Sequence, residues 1–375
     1  MALEFLYIDD EEENVLEPLV QAINSDPRIH LIVEHPSLRG LEVNNLSEAL
    51  NEFDGLILDW RLDDIVLPDG SSRYPFNAGA LAQEFRTKQT ENLVKPIPII
   101  LWSTEEKLRK SYSGNQTGQD LFDAVYFKSQ IGEDTGTIQN QMLSLALGYQ
   151  FLNNLHRAEI GTPGLVLQTE PAHLDIRLKQ HIKKSSPIHD HAGFILKEMI
   201  KRPGLLIDET LLAARLGLDI EQSNDWGNLL DKIPGGCRYV GPFHEAWPRW
   251  WTKCIEQTWW RSLQEPQRPL STLDAKDRVS IIKEKLALKH LTAATPIRPE
   301  YNKKFYTICE YYQRPLDPVD GVIIDEPEPE PWQDRRYLSM DAALERRGED
   351  NGIFPHVTEE TRLTEIKKVR TSKDE

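Results

Sequence analysis

Short apolar runs alternate with amphipathic stretches over the first 154 residues, the rhythm of an α/β domain. Leu3–Ile8 (LEFLYI) reads as a buried strand that stops at Asp9 and Asp10. Val15–Ile23 has helical spacing, Leu31–Glu34 is a short second strand, and Leu46–Asn51 is a short helix. Gly55–Leu58 (GLIL) is a third strand, ending in Asp59. Ala78–Lys88 reads as a helix, Ile97–Trp102 as a fourth strand, Val125–Phe127 as a fifth, and Thr137–Leu152 as a closing helix. Strands interleaved with helices in this way fit a doubly wound, five-stranded parallel sheet. The site of such a sheet lies in the loops beyond the carboxyl ends of its strands.

The pattern changes near Glu159. Residues 156–320 read as a mainly α-helical second domain, with a glycine-proline break at Ile233–Pro242 that predicts a hairpin or tight loop. Residues 321–335 contain DEPEPEP, the mark of a stiff, charged linker. Residues 336–375 are expected to form one short helix, near Ser339–Arg347, and a flexible polar tail.

Charge sharpens this division. The net charge is -16. Residues 1–154 hold 25 acids against 11 bases, residues 155–320 hold 21 against 24, and residues 321–375 hold 14 against 9. The first part therefore lacks the basic stripe that nucleic-acid binding needs. No apolar run is long enough to span a membrane and the start has no signal-peptide pattern, so a soluble protein is expected. Three cysteines (Cys237, Cys254, Cys309) without C-x-x-C spacing predict neither a disulfide framework nor a zinc knuckle, and point to a reducing, cytoplasmic location.

The candidate chemistry stands at the strand ends. The first strand delivers Asp9, Asp10 and Glu11, the third Asp59, the fourth Ser103 and Thr104, and the fifth Lys128. Converging carboxylates repel, so either a hard divalent metal or a buried ammonium is expected among them. Oxygen ligands suit Mg²⁺. A hydroxyl and a lysine beside an aspartate suit phosphoryl transfer to a carboxylate.

Four motifs in order, LYIDDE, LILDWRL, PIILWST and VYFKS, resemble the receiver domain of two-component response regulators over residues 1–155. The resemblance implies a receiver, flavodoxin-like fold. It also implies a phosphoacceptor at Asp59, Mg²⁺ held by Asp9, Asp10, Asp59 and the backbone carbonyl of Arg61, and phosphoryl contacts from Ser103 and Lys128. The expected phosphodonor is a histidine kinase or phosphotransfer protein. No enzyme activity is expected beyond self-catalysed phosphorylation and dephosphorylation. The chain departs from the family pattern in three places. Pro68, Asp69 and Gly70 come late, so the loop after Asp59 carries an insertion; Ser129 replaces a proline; and Val125 stands where many receivers keep a switching aromatic.

Signals in the second part are weaker. Asp208–Ile233 has a helix-turn-helix outline around Ala213 and Gly217, but Asp219, Glu221, Asp225 and Asp231 on its second half would repel phosphates. Trp247, Trp251, Cys254, Ile255 and Trp259 would share one face of a helix, either as a core seam or as a partner-binding face. His189 and His191 have no third metal ligand at recognisable spacing. The expectation is therefore a response regulator acting through a protein effector, as a signalling intermediate or phosphate sink, with a bacterial defence module as one setting. DNA and membrane are not expected partners, and a homodimer is compatible. The alternatives are a DNA-binding transcription regulator using residues 208–260, and a degenerate receiver serving as a scaffold.

Overall fold

The computed structural model describes residues 2–35, 48–60, 62, 77–104, 120–132, 134–157, 178, 187–264 and 266–374. The chain forms two compact units. The first comprises Met1–Gln168, Leu178–Glu198 and Val240–Trp247; the second comprises Thr169–Arg177, Met199–Tyr239 and Pro248–Glu375.

The first unit is an α/β fold on one five-stranded sheet. Its strands are β1 (Leu3–Ile8), β2 (Ile29–Glu34), β3 (Gly55–Leu58), β4 (Ile99–Ser103) and β5 (Ala124–Phe127). They lie in the order β2-β1-β3-β4-β5, and every pairing is parallel. This order is that of flavodoxin-like doubly wound sheets, in which the chain changes direction between β1 and β3. The central strand β3 is wholly apolar and buried, as a strand covered on both faces is, while the edge strand β2 keeps exposed His30 and Glu34. One face packs Leu6, Ile8, Leu56, Leu58, Ile99 and Leu101 against Leu81, Ala82 and Phe85 of α2 (Ala78–Thr90). The alternate positions Phe5, Tyr7, Ile57, Ile100 and Trp102 turn to the other face and are fully buried. Gly55 starts β3 because a Cβ there would lie 2.4 Å from the Phe5 ring.

Two helices are tied together by a buried amide. The Gln139 side chain on α3 (Thr135–Arg157) donates to the carbonyls of Ala22 and Ile23, at the end of α1 (Glu13–Asn24), both at 3.0 Å. Leu16, Leu19 and Ile23 form the buried stripe of α1. The short helix expected at Leu46–Asn51 is met from residue 48 onward, ending as a 3₁₀ turn over Leu50–Glu52; residues 46 and 47 lie outside the described residues. The late Pro68, Asp69 and Gly70 also lie outside them.

A mainly helical second domain is not clearly shown, because the second unit sets short strands beside helices such as Glu209–Leu216 and Ala275–Leu286. Its described strands include β6 (Leu206–Ile207) and β7 (Trp250–Trp251), an antiparallel pair. Four more, β8 (Thr307–Cys309), β9 (Arg314–Leu316), β10 (Gly321–Ile323) and β11 (Tyr337–Ser339), form a mixed sheet in the order β10-β11-β8-β9. Strands of two and three residues show no readable alternation, which is why periodicity missed them. Their core is Cys309, Leu316, Val322, Ile324, Leu338 and Met340.

The DEPEPEP run is not a linker here but the connection between two neighbouring strands, β10 and β11. Its Glu326 is buried and paired with Arg202 and Arg336. The polar tail also has structure, because Glu360–Asp374 forms a helix whose Arg362 donates to the carbonyls of Gly321 and Val319.

The cysteines, read from their spacing as supporting no disulfide framework, include one bonded pair. Cys237 and Cys254 form a disulfide across 17 residues, with Cα atoms 5.1 Å apart, and Cys309 is free and buried. Spacing rules for clustered cysteines say nothing about a single long-range pair. The cysteine argument for a reducing compartment falls with it. The tryptophan run is likewise not one helix: β7 precedes a π-helical turn over Cys254–Trp259, and Trp250, Trp251, Trp259 and Trp260 are all buried. Among the described residues, no helix is long and apolar enough to cross a membrane.

Candidate functional site

β1 and β3 are adjacent and in register, with Ile8 opposite Leu58, so the next residues, Asp9 and Asp59, leave the sheet side by side at its switch point. The Asp59 N–H donates to the Ile8 carbonyl at 3.0 Å, which extends the ladder to the acid itself. Both aspartates are fully buried. Such carboxylates require nearby cations or donors, since bare burial of the charged form is costly.

The neighbouring strand ends supply them. Ser103 closes β4 and its hydroxyl donates to Asp59 Oδ1 at 2.9 Å. Lys128 follows β5, and its ammonium lies 3.3 Å from the same Asp59 oxygen, 2.7 Å from Asp9 Oδ2 and 3.0 Å from Glu11 Oε2. Burial alone would lower the Lys128 pKa, but the charges of Asp59 and Asp9 more than offset it, and the net shift is upward. Of the two cations anticipated among these acids, the structure contains the ammonium.

Asp9, Asp59, Ser103 and Lys128 therefore converge on one pocket. Asp10, the next residue on the loop, is half-buried, as is Thr104 beyond β4. Arg61, whose carbonyl completes the expected ligand set, lies outside the described residues.

Sequence reasoning missed Tyr7. Its buried hydroxyl donates to Asp9 Oδ2, and its ring packs on Trp102 with centroids 5.6 Å apart. Burial, then the Asp9 charge, raises the Tyr7 pKa well above the ordinary tyrosine value, which keeps the phenol a donor. The period of two places Tyr7 on the face of Asp9, but a strand tyrosine reads as core packing. Glu11 also enters the site twice, through its carboxylate on Lys128 and through its N–H, which donates to Asp9 Oδ1 at 2.9 Å.

The donor chemistry fits a hard divalent cation, because carboxylate oxygens are what Mg²⁺ selects. The loops carry four carboxyl groups (Asp9, Asp10, Glu11, Asp59) against one ammonium, an imbalance that a divalent ion would offset. Among the described residues, no group of three or more histidines, cysteines or acids is already spaced to hold a metal. Lys128 balances part of the carboxylate charge from Asp9 Oδ2 and Asp59 Oδ1, on the side of Asp9 away from its Oδ1.

A second buried polar cluster lies elsewhere in this unit. Arg86 on α2 pairs with Asp123 at 2.7 Å and donates to the carbonyls of Ile97 and Leu121, while Tyr149 donates to Asp123 at 2.7 Å. Every strong acceptor there has a donor, so the cluster reads as structural. His189 belongs to the short helix α4 (Ile188–Gly193) and lies 3.5 Å from Asp190, while His191 is buried.

No family model matches the chain, and no curated protein is similar to it. Among solved structures, a lysine decarboxylase of Francisella novicida, LdcF, aligns at 15% identity and a TM-score of 0.24, over 57% of this chain and 31% of that chain. This chain thus spans about a third of the decarboxylase, and likeness at that level carries no argument for fold or chemistry.

Proposed function

We propose that this protein is a response regulator whose first unit is a receiver that accepts a phosphoryl group on Asp59. The observation that carries the reading is a shared target. Ser103 and Lys128, from two different strand ends, both reach Oδ1 of one fully buried aspartate.

In this reading an Asp59 oxygen attacks phosphorus, and the donor's leaving atom departs with the bonding electron pair. Ser103 and Lys128 then pass from the Asp59 oxygen to oxygens of the phosphoryl group, stabilising the charge that moves with it. Asp9, Asp10, Asp59 and the Arg61 carbonyl would hold Mg²⁺, which when bound neutralises phosphoryl charge. The donor is a histidine kinase, a phosphotransfer protein or a small phosphodonor. The second unit would engage a protein effector, with the chain acting as a signalling intermediate or phosphate sink. A cytoplasmic location goes with a kinase partner; the Cys237–Cys254 bond is the feature at odds with it.

The DNA-binding alternative is less favoured because its first helix and its tryptophans are interior. Every residue of Leu211–Leu216 is buried, and Trp250, Trp251, Trp259 and Trp260 are buried too. Gly217 ends that helix in a left-handed conformation against Ala275, and eight residues separate it from the next helix, Trp226–Lys232, too many for a helix-turn-helix.

A radiolabelled small phosphodonor with Mg²⁺ tests the proposal. The expected result is label on the wild type and none on Asp59→Asn. Label that survives the substitution, or none on either chain, would sink the reading. Partner binding unchanged by labelling would instead favour the scaffold alternative.

A further inference from the structure

Tyr7 makes a contact with Asp9 that the acceptor reading does not use. The Asp9 carboxylate offers about four lone-pair positions. The Glu11 N–H takes one on Oδ1, at 2.9 Å. The Tyr7 hydroxyl takes one on Oδ2, the oxygen that also faces the Lys128 ammonium at 2.7 Å. Oδ1 keeps a position open, so Asp9 can serve a further cation through that oxygen. The phenol that enforces this is fully buried and braced by Trp102, itself fully buried, with an interplanar angle of 32°. Lys128 is a flexible chain and holds Asp9 less rigidly; Tyr7 has two torsions and a packed ring.

We infer that Tyr7 is a positioning residue of the acceptor pocket, holding the Asp9 carboxylate in the orientation that binds a divalent cation. The inference rests on the acceptor reading and deepens it. Outer-shell partners of metal-ligating groups are commonly worth tenfold to a hundredfold in affinity. Removing the Tyr7 hydroxyl frees Oδ2 and lets the carboxylate turn about its Cβ–Cγ bond. The expected loss is near the lower end of that range, because Glu11 and Lys128 still restrain Asp9.

The test is a calorimetric titration of Mg²⁺ into the wild-type chain, Tyr7→Phe, Asp9→Asn and the double variant, without phosphodonor. Labelling of Asp59 is then followed as a function of Mg²⁺ concentration. Tyr7→Phe should bind Mg²⁺ about tenfold more weakly and regain the wild-type labelling rate at saturating Mg²⁺, a change in metal requirement and not in turnover. In the Asp9→Asn background the same substitution should change nothing further. A second measurement keeps Tyr7 in place: Mg²⁺ should shift the ultraviolet difference signal of a buried tyrosine in the wild type, and Asp9→Asn should abolish the shift. Equal Mg²⁺ affinity in wild type and Tyr7→Phe, with normal labelling in both, overturns the role of Tyr7 alone. Absence of both Mg²⁺ binding and label in the wild type overturns the acceptor reading, and this inference with it.

Discussion

The Lys128 ammonium stands 3.3 Å from Asp59 Oδ1 and 2.7 Å from Asp9 Oδ2, so a single side chain from the end of β5 ties together the acids of β1 and β3. The lysine side chain is 12% exposed and both carboxylates are fully buried. At such depth the cation balances two charges that would otherwise face each other with little solvent between them.

Removing that cation should be costly. Lys128→Met is expected to lower unfolding free energy by about 3 kcal/mol, the usual scale for stripping one partner from a buried ion pair. In an Asp59→Asn background the cost should shrink by about 1 kcal/mol or more, because one of the stranded charges is gone. Urea melts of the four chains measure this coupling. Additivity within about 0.3 kcal/mol would mean that Lys128 and Asp59 do not interact.

The disulfide of the second unit predicts a thiol count. Under non-reducing denaturation one thiol, Cys309, should react, and all three should react after reduction. Closing a loop of about fifteen residues is worth about 3 kcal/mol, so reduction or Cys237→Ser should lower the stability of this unit by that order. Three reactive thiols without reductant would contradict the pairing.

His189 makes stability fall on mild acidification. Burial first, then the positive charge of Arg86, lowers its pKa; Asp190 and Asp123 oppose the shift but do not reverse it. The folded state therefore prefers neutral imidazole. That contribution is complete above the unfolded value of about 6.5 and is lost as pH falls through the lower folded value. His189→Asn should show a smaller drop in melting temperature between pH 7 and pH 5 than the wild type. An equal drop in both would remove His189 as the cause.

The sheet and the clustering of Asp9, Asp59, Ser103 and Lys128 were legible in the sequence, and for the same reason. Gly55–Leu58 is four buried apolar residues with an acid directly after them, so strand and site residue are read from one signal. Asp9 and Ser103 likewise come at the end of buried apolar runs, and Lys128 directly follows the apolar run Ala124–Phe127. Tyr7 was not legible, because its role depends on where a buried hydroxyl points and not on polarity pattern. Arg86, Asp123 and Tyr149 were missed in the opposite way, since charged residues spaced along helices and loops read as solvated. The three-residue strands of the second unit gave no period to detect, and Glu326 found its partners Arg202 and Arg336 only through tertiary folding.

The measurement closest to the central claim is intact mass spectrometry of the full chain after incubation with a small phosphodonor and Mg²⁺. The account predicts a gain of one phosphoryl mass that maps to Asp59, needs the metal and is released by hydroxylamine, as an acyl phosphate is. A modification that maps to a serine or histidine, or a mass unchanged while Mg²⁺ binds, would contradict it.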